Sequence, residues 1–159
     1  MSVRRTLYCV ASLGVLATIL GAGCAASKVS ETVIGLERGA LDRWGKGDPW
    51  GAIELCADEV TYFDPDLEQR LNGLESLRAL LAPLEGKIRI ERYDMIDPRV
   101  QVHGPVAVLT YNLVDYVPAS DGSVTRSCWN STEVYQRVNG NWKIIHSHWS
   151  RPQGCAGTE

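Results

Sequence analysis

The chain has 159 residues, 45% hydrophobic and 22% charged, with 16 Lys and Arg against 19 Asp and Glu and a formal net charge of −3. That length suits one domain with a real core and is too short for two. The acidic balance argues against nucleic acid as a partner, because phosphate neutralisation needs a basic footprint.

In chain order, Arg4 and Arg5 precede an apolar run from Leu7 to Leu20, followed by the small residues Gly21 to Ser27. A charged start, a short apolar core and a small-residue exit predict a bacterial export signal over residues 1–23, too short for a comfortable membrane span. Leu20-Gly-Ala-Gly-Cys24 resembles a lipobox, although Gly21 stands where leucine is favoured. Cys24 is therefore the candidate lipidation site, with membrane contact through that anchor only. The alternative is ordinary cleavage near Ala26, giving a periplasmic or secreted protein. Loss of Arg4 and Arg5 leaves 14 basic against 19 acidic residues, a mature charge of −5.

After a short linker at 24–29, the expected domain covers residues 30–152, with a tail at 153–159. Ser30 is a candidate cap for a helix whose apolar positions Val33, Leu36, Ala40, Leu41 and Trp44 fall at helical spacing, ended by Gly45 and Gly47. Asp48-Pro49 restarts a short helix carrying Trp50, Ile53 and Leu55. A brief strand is expected from Glu59 to Phe63, a turn at Asp64-Pro65-Asp66, and a third helix from about Gly73 to Leu84. Strands then follow near 88–102, 107–117 and 124–138, separated by His103-Gly104-Pro105 and Ser120-Asp121-Gly122. Asn139-Gly140 predicts a tight hairpin into a last strand ending near Ser150. Helices followed by an antiparallel meander mean an α+β domain with helices packed on one sheet face.

Of five cysteines, Cys9 leaves with the signal and Cys24 is the lipid candidate. Cys56, Cys128 and Cys155 permit one disulfide and one leftover thiol in an oxidising compartment, with the pairing open. No cysteine spacing resembles a structural zinc site, and no cofactor fingerprint is present.

Strict alternation along the last strand puts Trp142, Ile144, His146, His148 and Ser150 on one side and Lys143, Ile145, Ser147 and Trp149 on the other. The imidazoles are thus expected on a pocket floor. Val60-Thr-Tyr-Phe-Asp-Pro-Asp, Asn72-Gly-Leu-Glu and the run from Thr132 to Ser150 resemble the association domain of calcium/calmodulin-dependent protein kinase II. That domain, with SnoaL-type cyclases and ketosteroid isomerases, belongs to the nuclear transport factor 2-like superfamily. The resemblance covers about residues 30–152 and implies a curved sheet wrapped as a cone around about three helices, with a pocket between them. It also implies arginines in that pocket; this chain keeps Arg126 near one such position but has Asn112 and Glu133 at two others. No kinase segment accompanies the domain.

Asp64 and His146 are the candidate acid–base pair, and Tyr62, Tyr111, Arg126, Asn130 and His148 the candidate ligand contacts. Asp64 before Pro65 is equally a turn starter. A metal held by His146 and His148 would need a third ligand from Asp64 or His103, and neither has diagnostic spacing. The leading expectation is an exported, lipid-anchored domain binding a small, partly apolar molecule. Cofactor-free isomerisation or dehydration is the first alternative, and assembly as a homodimer or higher homo-oligomer the second.

Overall fold

The computed structural model describes residues 16–155 and 157–158. The paired arginines and the first half of the expected export signal lie outside the described residues. Helix α1 (Leu16–Trp44) is followed by α2 (Trp50–Leu55), β1 (Cys56–Phe63), β2 (Leu71–Asn72) and α3 (Leu74–Leu81), which closes in a 3-10 turn at Ala82–Leu84. Strands β3 (Arg92–His103), β4 (Val106–Pro118), β5 (Val124–Val138), β6 (Asn141–Ser150) and β7 (Gly157–Thr158) complete the chain. Among the described residues, no helix is long and apolar enough to cross a membrane.

Helix α1 starts earlier than its apolar spacing predicts. Ser30 does not cap it; the Ser30 hydroxyl donates to the Ala26 carbonyl from inside the helix, at 3.0 Å. The far end is as expected. Gly45 N–H returns to the Leu41 carbonyl and Asp48 N–H to that of Arg43, with Gly47 at φ 82°, a conformation only glycine adopts freely. Asp48 Oδ1 then accepts the Trp50 N–H, so this carboxylate starts α2.

The sheet order is β2-β1-β6-β5-β4-β3, with β7 pairing the end of β5 that β6 leaves free. Strands β3 to β6 form the expected antiparallel meander, and Asn139 and Gly140 take positive φ at the β5–β6 hairpin. The fully antiparallel expectation needs one correction: β1 joins β6 in parallel, so the sheet is mixed. Helix α3 and the strands up to β5 separate β1 from β6 in sequence, and such a long connection lets the two run the same way. In edge strand β3, Asp97-Pro98 bulges out of the pairing with β4, at a place where proline costs no interior ladder bond.

The core lies between α1 and the inner sheet face. Val33 and Leu41 from α1 meet Leu109 and Leu113 of β4, Tyr135 of β5 and Ile144 of β6, while Leu77 and Leu81 of α3 close one end. Cys128 and Cys155 form a disulfide, with Cα atoms 5.8 Å apart, that ties the C-terminal segment to β5. Among the described residues Cys56 is the free thiol, and burial, reinforced by the charges of Glu133 and Glu37, pushes it up to about 12.

Opening the 27-residue disulfide loop by Cys155→Ser is expected to cost about 2–4 kcal/mol in urea unfolding. The native variant should show one newly reactive thiol, Cys128, with Cys56 staying silent to a thiol reagent until unfolding. Early labelling of Cys56 would mean its burial is wrong.

Candidate functional site

A cavity of about 140 Å³ opens between α1, α3 and the inner sheet face. Its lining runs from half-buried Asp64, Tyr62 and Trp129 to Glu133, which is 1% exposed. Apolar walls come from Leu41, Leu77, Leu81, Leu113 and Ile144, and indole rings from Trp44, Trp129 and Trp149. Trp129 and Trp149 meet edge to face at 6.2 Å, and Tyr111 packs edge-on against Trp149 at 5.9 Å.

Strand parity decides who enters. On β5, Trp129 and Glu133 face inward, so Arg126 and Asn130 face out. On β6, Tyr135 pairs with Ile144 but Val134 pairs with His146, leaving Ile145 as an extra, bulged residue. The expected face assignment on β6 is therefore corrected. Ile144 stays inside, but beyond the bulge Ser147 and Trp149 take the cavity side and His146 and His148 the outer one.

The expected acid–base pair is accordingly not brought together. His146 Nδ1 lies 2.8 Å from Thr61 Oγ1, and both His146 and His148 pack against Phe63 on the outer face. Burial, then the neighbouring His148 and Arg70 charges, lower the His146 pKa. Asp64 does line the cavity, where Oδ2 accepts from the Tyr62 hydroxyl at 3.0 Å while Oδ1 accepts the Asp66 N–H at 2.9 Å. One carboxylate thus serves both turn and cavity. Of the other ligand candidates, Tyr62 lines the cavity and Tyr111 lies buried beneath it. Arg126 sits near the Tyr116 ring, 6.0 Å from its centroid, and Asn130 accepts from Asn112 Nδ2 at 2.7 Å; neither touches the cavity. Among the described residues, no three metal-ligating side chains converge.

The carboxyl groups that matter most were not singled out as site residues. Glu37 of α1 is 4% exposed, and its two oxygens accept hydrogen bonds from Tyr111 at 2.7 Å and Tyr135 at 2.5 Å. Glu133 Oε1 accepts from Ser131 at 3.1 Å and Ser147 at 2.9 Å, while Trp149 Nε1 donates to Ser147 at 3.1 Å. Glu133 Oε2 has no partner, alone among the buried side-chain polar atoms of the described residues. Burial first, and then the Glu37 charge, push Glu133 well above the carboxylate range, against the pull of Ser147, Ser131 and Trp149. Burial also raises Glu37, against the lowering pull of its hydrogen bonds from Tyr135 and Tyr111. Asp115 accepts from Trp129 Nε1 at 3.1 Å and is pushed up to about 6 by burial. Glu37 sits on the stripe with Val33, Leu41 and Trp44, and a carboxylate on an apolar helix stripe is the signal that marks it.

Because Asp115 has its folded pKa raised above the ordinary value of 3.8, the fold favours its protonated form. Its stabilising contribution is complete below about pH 4 and is lost as pH climbs through about 6. Urea unfolding of Asp115→Asn is expected to show a flatter pH dependence across that window than the unmodified chain. Tyr135→Phe, which strips a donor from a buried carboxylate, should cost about 1.5–3 kcal/mol.

The calcium/calmodulin dependent protein kinase II association domain family matches residues 31–153. A solved structure from Parabacteroides distasonis, named as a "putative ketosteroid isomerase", is 40% identical, with 79% of this chain and 89% of that one covered and a TM-score of 0.68. The association domain of the Caenorhabditis elegans kinase is 20% identical, covering 79% and 98%, with a TM-score of 0.70. An NTF2-like protein of unknown function from Pseudomonas putida is 20% identical, covering 79% and 88%, with a TM-score of 0.68. No curated protein matches the chain. With the family matched across nearly the whole domain, the fold is that of NTF2-like proteins and the chain belongs to the calcium/calmodulin-dependent protein kinase II association domain family.

Proposed function

We propose that this domain binds a small, largely apolar molecule in the cavity between α1 and the sheet. One observation carries the reading: the cavity is walled by aliphatic and indole side chains, yet at its buried end stands a carboxyl oxygen with no partner. Ligand sites combine apolar walls with a few placed polar groups in this way. At about 140 Å³ the space suits a molecule well below drug size. The isomerase reading has less support, because His146 stands on the opposite face from Asp64 and the relative bearing an isomerase name is a different protein.

Assembly with a second copy is a compatible reading. Phe63 is 40% exposed and packs with His146 and His148 on the outer face of the sheet, where a partner sheet would cover all three rings. The kinase relatives named as association or hub domains share the cone. Export and lipidation of Cys24 complete the proposal, on the strength of the N-terminal sequence pattern.

Native mass spectrometry of the chain is expected to show a homo-oligomer carrying one small molecule per chain. Ala40→Leu, which projects a larger side chain into the cavity, should lose that mass without changing the assembly; retention of the mass would place the ligand elsewhere. Expressed from its own start in a Gram-negative host, the chain should partition into detergent, and Cys24→Ser should return it to the aqueous phase. Equal partitioning of both would remove the lipid anchor.

A further inference from the structure

We propose that the cavity's ligand is an organic monocation, a protonated amine with an apolar body, whose ammonium group sits against Glu133 Oε2 among the indole rings. This inference rests on the binding reading of the same cavity and adds the charge and chemical class of what enters it.

Among the described residues four carboxyl side chains line the space, Glu37, Asp64, Asp115 and Glu133, and no lysine, arginine or histidine does. An anion would meet like charge with no cation to receive it. The acids are not equivalent. Both oxygens of Glu37 are taken by Tyr111 and Tyr135, both of Asp64 by Tyr62 and the Asp66 N–H, and Asp115 receives Trp129. Glu133 is held in place through Oε1 by two serine hydroxyls, which leaves Oε2 as the one buried acceptor without a donor. A buried polar atom of this kind is costly unless something completes it.

The surrounding walls favour a positive group as the completing partner. The faces of Trp44, Trp129 and Trp149 carry negative quadrupole potential, and an ammonium among such rings is attracted to them in a site from which water is largely excluded. Trp129 already receives one cation, for the Arg151 guanidinium lies 5.1 Å from its ring centroid, outside the lining and ion-paired to Asp66 at 2.6 Å. A neutral apolar molecule would fill the walls and leave Oε2 without a partner. An ammonium supplies both the donor and the countercharge.

The test is calorimetric titration of the full chain with three probes of one shape: phenethylamine, neutral 2-phenylethanol and anionic phenylacetate. Phenethylamine is expected to bind at least about tenfold tighter than the alcohol, with phenylacetate weakest. Glu133→Gln should remove the preference for the amine over the alcohol, and a retained cooperative urea transition shows that the variant is folded. If that variant does not fold, the ratio of amine to alcohol in the unmodified chain still decides. Equal affinities, or tighter binding of phenylacetate, would overturn the cation while leaving a binding cavity in place. Failure of all three probes would overturn both readings.

Discussion

A carboxylate from helix α1 is buried between helix and sheet, and each of its oxygens is taken by a phenol from a different strand. Glu37 thereby ties α1 to β4 through Tyr111 and to β5 through Tyr135. Removing either phenol would leave a buried carboxyl oxygen without a donor, at a cost of about 1.5–3 kcal/mol. The helix consequently has one rotation and one height over the sheet. Hydrophobic contacts alone would tolerate neighbouring arrangements, because apolar packing is not directional. The cavity's dimensions follow from that fixed distance, and the second carboxyl, Glu133, feels the first through its charge.

The two faces of the sheet carry different chemistry as a result. Inside are carboxyls, phenols and indoles, and among the described residues no cationic side chain lines the cavity. Outside are the two histidines, Phe63, and the Asn112, Asn130 and Ser150 ladder. Basic groups that meet aromatic rings do so away from the interior: Arg92 and Arg126 at Tyr116, and Arg151 at Trp129. Burial is the main reason that Asp115 and Glu133 are pushed up, and the Glu37 charge adds to the shift of Glu133.

Most of the fold was legible because local signals agreed with one another. Asn139-Gly140 set the hairpin, Gly45 to Pro49 marked the break between the first two helices, and the strands of the meander fell between recognisable turns. What was not legible depended on contacts distant in sequence. The parallel pairing of β1 with β6 joins segments some 85 residues apart, as the Thr61 to His146 contact shows. The choice of Cys128 and Cys155 over Cys56 depended on where the tail runs. At the site, Asp64 and Tyr62 were found because they flank a visible turn, whereas the histidines were put on the wrong face by a parity argument that a single bulge defeats. Glu133 had been noticed only as a departure from the relatives' pattern, and its importance needed the burial that the fold supplies.

The bulge at Ile145 also decides what kind of interior the strand can offer. Every residue of β6 beyond it owes its side of the sheet to this backbone irregularity and not to residue order alone. Deleting Ile145 would restore plain alternation from Ile144 and keep Ser147 and Trp149 at the cavity wall, whereas straightening the strand with Ile145 retained would turn His146 and His148 to it instead. One sequence thus holds an indole-lined and an imidazole-lined face in reserve, and the bulge selects between them.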